Sequence, residues 1–258
     1  MSKKYLVKPA WLQPGETVTT FGTVFDAPLV GKGRSWLPLV PLLAWPLMAW
    51  VAKRRQPTRT WLQSLGVGAL TMPVVLGSEW AHNLAHAAAA KGVGKPTEAI
   101  RIIFGMPLLV YHDLNDQTVT PQEHMVRAAG GPVFNLALLP LLWVGRVRAG
   151  KGSLRRELLE VAWGVNLFLP VVGLLPIPGL DGGPLLKWGL VARGHTLAEA
   201  DQRVRRVDGV LGSLLAGLGL EALRRKRRLL GGLLLQLAAV ALSIALGIFK
   251  EQETPDEI

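Results

Sequence analysis

Long windows without a single charged side chain recur along this chain, at Trp36–Ala52, Trp61–Ser78, Ala128–Gly145, Val161–Leu180 and Leu229–Phe249. About 20 apolar residues suffice for a helix to cross the hydrocarbon core of a bilayer, and a soluble fold has no comparable place for so many such windows. Hydrophobic residues make up 50% of the 258 and charged residues 18%, where soluble domains carry about 25% charged. That balance excludes a disordered chain, a fibrous repeat and most soluble enzymes. The net charge of +11 sits in the gaps between windows, in KRRQPTR, RVRAGKGSLRR and LRRKRR. Retention on the cytoplasmic side of a membrane accounts for that placement. A nucleic-acid binder would instead gather its basic residues on one face of a soluble fold, so no nucleic-acid partner is expected. The chain has no cysteine, which removes disulfides, thiolate ligands and a cysteine nucleophile.

The chain therefore reads as an all-α integral membrane protein of five or six transmembrane helices, multi-pass in a bacterial or archaeal cell membrane. Residues 1–35 form a polar N-terminal segment without the apolar core of a signal peptide, and 36–52 form the first span. Residues 61–190 hold the central membrane core, and 191–258 hold one or two further spans. Gly209–Leu220 is apolar but short and Gly-rich, consistent with a half-span, an interfacial helix or a sixth crossing. Lys91–Gln122 contains the β-favouring runs IRIIF and MPLLVY between Gly, Pro, Asn and Asp, and is read as a small hairpin at the membrane surface. Interior Gly and Pro, as in GGP and PIPGLDGGP, mark broken or closely packed helices. His112 with Asp113 in YHDLND is a solvated pair, and the acidic tail KEQETPDEI a solvated end.

Ionisable groups inside apolar segments are the informative ones, because each costs roughly 2.5–3.5 kcal/mol on insertion scales. Glu79, His82 and His86 fall on one face of a helix at 3.6 residues per turn. Two histidines at i and i+4 can share a metal ion; they can equally be buried and hydrogen-bonded near a helix end. Asp181, in LLPIPGLDGGP, closes the fourth apolar window. Pro176 and Pro178 interrupt the helix there, and Gly182 and Gly183 allow close backbone approach. Asn135, in AAGGPVFNLAL, places an amide in an apolar segment, where it must bond across helices or to a bound backbone.

Together, His82-Asn-Leu-Ala-His86, Gly131-Pro-Val-Phe-Asn135 and Leu175-Pro-Ile-Pro-Gly-Leu-Asp181-Gly-Gly183 resemble the motif set of the site-2 protease family of intramembrane zinc metalloproteases. Order and spacing agree, over roughly residues 61–190. The resemblance implies a three-helix metalloprotease-like core with one Zn²⁺ per chain on His82, His86 and Asp181, the fourth position being left to water. It implies that Asn135 and Asn166 bind substrate, a transmembrane helix of another membrane protein, and that the surface hairpin pairs with the substrate in extended form.

One residue departs from the pattern. The family carries a glutamate after the first histidine as general base, and this chain has Asn83, which cannot accept a proton. Gly173 also stands where the family often has an asparagine. Glu79, one turn before Asn83, is a candidate substitute base, or a partner that orients His82. The chain is thus expected to be an intramembrane metalloprotease homologue that acts on or binds transmembrane segments, with hydrolysis impaired. A non-catalytic, metal-binding regulatory protein is the alternative, and a transporter with the histidines and Asp181 along an ion path the third. Asn83 favours the non-catalytic reading over the protease. The tryptophans near span ends, Trp36, Trp50, Trp61 and Trp143, fit an interfacial belt against the lipid bilayer.

Overall fold

The apolar windows become helices, most of them extended into flanking polar sequence. The computed structural model describes residues 4–5, 18–111 and 113–250; His112 and the acidic tail from residue 251 lie outside the described residues. In chain order the elements are β1 (Lys4–Tyr5), β2 (Val18–Val24), β3 (Ala27–Lys32), α1 (Leu39–Arg55), α2 (Trp61–Gly92), β4 (Ala99–Ile103), β5 (Met106–Val110), α3 (Pro121–Arg148), α4 (Leu154–Gly173), α5 (Gly182–Val191), α6 (Leu197–Arg224), α7 (Arg228–Ala245) and β6 (Phe249–Lys250). Helix starts are encoded locally. Thr60 accepts from the Gln63 N–H while Gln63 accepts from the Thr60 N–H, and Thr196 with Glu199 does the same for α6; each box satisfies two otherwise orphaned donors. Pro46, Pro73, Pro132, Pro140 and Pro170 all lie inside continuous helices.

Among the described residues, three helices, α2, α3 and α7, are long and apolar enough to cross a membrane. Leu62, Leu141 and Leu229 on them are 80%, 70% and 77% exposed. Large apolar surfaces of that kind belong against lipid, and the chain is a membrane protein. Trp36, Trp50, Trp61 and Trp143 are all exposed, as a belt requires.

The chain groups into two compact units, residues 12–111 with 129–172, and residues 1–11 with 112–128 and 173–258. In the unit of residues 12–111 and 129–172, α1 lies tight against α2: a Cβ on Gly68 would come within 2.7 Å of the Ala49 nitrogen. The expected hairpin is present as β4–β5, but it is half of a four-stranded sheet in the order β2-β3-β4-β5. β2 and β3 come from the segment read only as a polar N-terminal segment, residues 1–35. Its Phe25–Asp26 turn takes φ of 51° and 65°, the positive-φ pair of a tight hairpin. β3 joins β4 in parallel, with Leu29 beside Ile100. Ala27 and Ile100 of the sheet pack on Ala87 of α2, and the Trp80 indole donates to the Gly105 carbonyl at 3.1 Å. The sheet thereby rests on the stretch of α2 that carries His82 and His86. Between α1 and α2, Arg59 grips buried Glu157 of α4 with both guanidinium nitrogens, at 3.0 and 2.5 Å. The Glu157 hydrogen bond raises the arginine's pKa.

In the other unit, α6 and α7 pair through glycines: Cβ atoms on Gly212, Gly219 and Gly231 would fall within 2.8, 2.9 and 2.7 Å of Leu242, Leu235 and Leu223. Gly209–Leu220 is an interior stretch of the 28-residue α6 rather than an element of its own. The fourth apolar window does not stay helical to Leu180. α4 ends at Gly173, and Pro176 and Pro178 each lack the N–H that would carry the helix on. Ile177 in this turn is fully buried against Leu215, Ala238, Ala241 and Ile244.

Removing one partner of a buried ion pair typically costs about 3–5 kcal/mol, while an exposed pair contributes about 0–1 kcal/mol. Glu157→Ala is therefore expected to lower the thermal midpoint of the detergent-solubilised protein by several degrees. Glu160→Ala, whose partners Arg55 and Arg156 are themselves partly exposed, is expected to leave it nearly unchanged.

Candidate metal centre

α2 presents Ser78, His82 and His86 in successive turns, and all three are buried. The two imidazoles meet edge to face with ring centroids 4.7 Å apart, and their Nε2 atoms stand 3.1 Å from each other. Two nitrogens bound at zinc distance to one tetrahedral ion lie ~3.3 Å apart. The pair is therefore already at the spacing of common ligands. The donor set, two imidazole nitrogens brought together, suits zinc among the divalent metals.

The backbone of α3 makes room for this face. A Cβ on Gly131 would land on His86 Nε2 and within 2.5 Å of His82 Cε1, and one on Gly130 would come within 2.6 Å of the Ala85 carbonyl oxygen. The Gly-Gly of GGP thus lets the α3 main chain lie directly on the histidines, where any side chain would occupy their space. One turn further, Asn135 is wholly buried. Its Oδ1 accepts from His82 Nδ1 at 2.5 Å, its Nδ2 donates to Asn166 Oδ1 of α4 at 2.6 Å, and Asn166 Nδ2 donates to Ser78 Oγ at 2.9 Å. The structure brings His82, His86, Asn135 and Asn166 together, and adds Ser78, which sequence reasoning missed. Its position, one turn before His82 on the same face, was the available signal.

Asn83 and Glu79 are half-buried on the same helix. Asn83 Nδ2 donates to the Glu79 carbonyl oxygen at 3.0 Å and to Glu79 Oε1 at 3.1 Å. The carboxylate is thus joined to the amide that replaces the expected base, while Asn135 supplies the hydrogen bond to His82 considered for Glu79.

Asp181 belongs to the other unit. It occupies the N-cap position of α5 without using its carboxylate to cap that helix, and a Cβ on Gly173 would come within 2.8 Å of its Oδ2. The glycine that departs from the family pattern therefore clears space beside this carboxylate. Gly182 and Gly183 are equally constrained. Cβ atoms there would strike the carbonyl oxygens of Leu174 and Leu175, and that of Ile177 at 2.6 Å, so the Asp-Gly-Gly string sets Asp181 on a turn folded against its own backbone. In the same unit, His124 stacks on Trp188 with centroids 3.7 Å apart, and buried Lys187 donates to Asn115 and pairs with Asp201, both at 2.7 Å. These contacts are structural and hold the Asn115 loop and α6 to α5.

No family model matches the chain. It is 32% identical over 164 residues to Rip3 of Mycobacterium tuberculosis, named as a proposed zinc metalloprotease, with 62% of this chain and 40% of Rip3 aligned. It is 30% identical over 95 residues to MJ0611 of Methanocaldococcus jannaschii, named likewise, with 34% of this chain and 48% of that protein aligned. The chain thus spans less than half the length of the curated relatives it matches. Among solved structures it aligns with a site-2 protease from Methanocaldococcus jannaschii over 90% of this chain and 94% of that one, at 13% identity and a TM-score of 0.49.

Overpacking a tight contact costs about 1–3 kcal/mol. Gly131→Ala is expected to lower stability by that amount and to push the imidazoles apart. Gly164→Ala, where a Cβ meets nothing within 4 Å, is expected to be neutral or slightly stabilising. Parallel thermal melts of the two variants check this.

Proposed function

We propose that the chain is a site-2 protease homologue that binds one Zn²⁺ through His82, His86 and Asp181, receives a transmembrane segment of another membrane protein, and hydrolyses it poorly or not at all. The observation that carries the metal assignment is the 3.1 Å approach of the two Nε2 atoms, buried inside apolar helices. Asp181 is assigned as the third ligand on the resemblance of its Asp-Gly-Gly string to the family motif. When bound, the ion would polarise a peptide carbonyl and lower the pKa of a water.

What the chain's own residues add decides the rate. Hydrolysis needs a group that takes a proton from the attacking water and returns it to the leaving amine. Asn83 has no such capacity: its amide donates to the Glu79 main chain and carboxylate. Glu79 is the residue on this face that can accept a proton, and its bond to Asn83 favours a second reading in which it serves as an inefficient substitute base. The surface sheet, anchored on α2 by Ala87 and Trp80, offers β5 as an edge along which an extended segment can add. The membrane protein itself is multi-pass in this reading, since α2, α3 and α7 each have the length and composition to cross.

Losing a general base typically removes ~10²–10⁴-fold of rate. Purified protein is expected to carry about one zinc per chain and to leave a transmembrane-helix substrate uncut on the time scale of an active protease. Asn83→Glu is expected to restore cleavage by at least 10²-fold, without changing zinc content. Cleavage by the unmodified protein that is lost in Glu79→Gln would select the substitute base. Zinc-free protein, with no change on His82→Ala, would remove the assignment.

A further inference from the structure

The direction of every hydrogen bond in the buried chain through Ser78, Asn135 and Asn166 is fixed by its far end. Ser78 Oγ donates to the Val74 carbonyl at 2.9 Å, and a carbonyl can only accept. The serine oxygen is therefore the acceptor for Asn166 Nδ2 at 2.9 Å. The second Asn166 hydrogen goes to the Ala162 carbonyl at 2.8 Å, so that amide has no alternative orientation: turned over, it would set Oδ1 against a carbonyl oxygen. Asn166 Oδ1 must then face the Asn135 amide nitrogen, which leaves Asn135 Oδ1 facing His82 Nδ1. An amide oxygen cannot donate, so His82 carries a proton on Nδ1, and the neutral ring then presents its lone pair at Nε2, the atom that faces His86.

We infer that Asn135, Asn166 and Ser78 are positioning residues for His82: a relay that runs from α2 through α3 and α4 back to α2, locks one tautomer and aims Nε2 at the metal. Ligating histidines usually obtain this from a carboxylate or a backbone carbonyl. Here three neutral side chains do it, which adds no negative charge beyond that of the Asp181 carboxylate proposed as third ligand. The inference reassigns two residues that family resemblance gives to substrate. Both Asn166 amide hydrogens are spent inside the protein, and Asn135 and Asn166 are 0% and 1% exposed. The relay rests on the zinc assignment above and extends it.

The test uses the full chain in detergent, with Zn²⁺ alone for affinity and Co²⁺ alone for its visible ligand-field bands. Disrupting a residue that orients a ligand typically costs 10–100-fold in metal affinity. Asn135→Leu is expected to weaken zinc binding by ~10–100-fold and to alter the cobalt bands. Asn135→Asp keeps the acceptor and is expected to bind zinc within a few-fold of the parent. Ser78→Ala, remote from the ion and conservative for the fold, is expected to lose roughly 5–10-fold, and Ser78→Thr to recover it. A purely structural role would move melting temperature in all of these while leaving affinity and cobalt spectrum alone. Parent-like affinity and bands in both Asn135→Leu and Ser78→Ala would overturn the relay and leave the metal site standing. No zinc bound by the parent would overturn both.

Discussion

Polar side chains buried between apolar helices have to satisfy one another, and that requirement organises the centre of this protein. An unpaired amide or imidazole in hydrocarbon costs several kcal/mol, and water is not available to relieve it. Ser78, His82, Asn135 and Asn166 answer by closing a hydrogen-bonded chain across α2, α3 and α4. The close crossing of α3 at Gly130 and Gly131 is what lets Asn135 reach His82. The Arg59–Glu157 pair fixes the start of α4, the helix that supplies Asn166. Loss of the glycines would separate the helices, and loss of the amides would leave the histidine ring free to turn.

Against this well-ordered ligand geometry, the base position is unusual. The residue after His82 is an amide, and the nearby carboxylate, Glu79, is held by it. On the function proposed above, a centre with these ligands, glycines and orienting amides but no glutamate after His82 would hold a metal and a polypeptide more readily than it would turn over.

Much of this was legible in the sequence, for physical reasons that can be named. Charge-free windows mark apolar helices directly, and the i, i+4 spacing of His82 and His86 sets both on one face. The β4–β5 hairpin announced itself through short β-favouring runs around Phe104–Gly105. Other features were not legible. β2 and β3 hide in a segment with little hydrophobic alternation, turned by the non-glycine pair Phe25–Asp26. The break in the fourth window, by contrast, was legible: α4 ends at Gly173, just ahead of Pro176 and Pro178, which the sequence marks as interrupting the helix. Least legible of all, the partner of His82 lies 53 residues away in Asn135, and no spacing rule connects them. Gly173 reads as a departure from a motif until the space it leaves beside Asp181 is seen.

The central claim is that the converging imidazoles are metal ligands rather than a hydrogen-bonded pair. X-ray absorption at the zinc edge, on the purified full-length chain loaded with one equivalent of zinc, tests it most directly. A first coordination shell of about four light atoms at ~2.0–2.1 Å, with outer-shell scattering from two imidazole rings that falls to one ring in His86→Ala, is the predicted result. A shell without imidazole scattering, unchanged in His86→Ala, would contradict it.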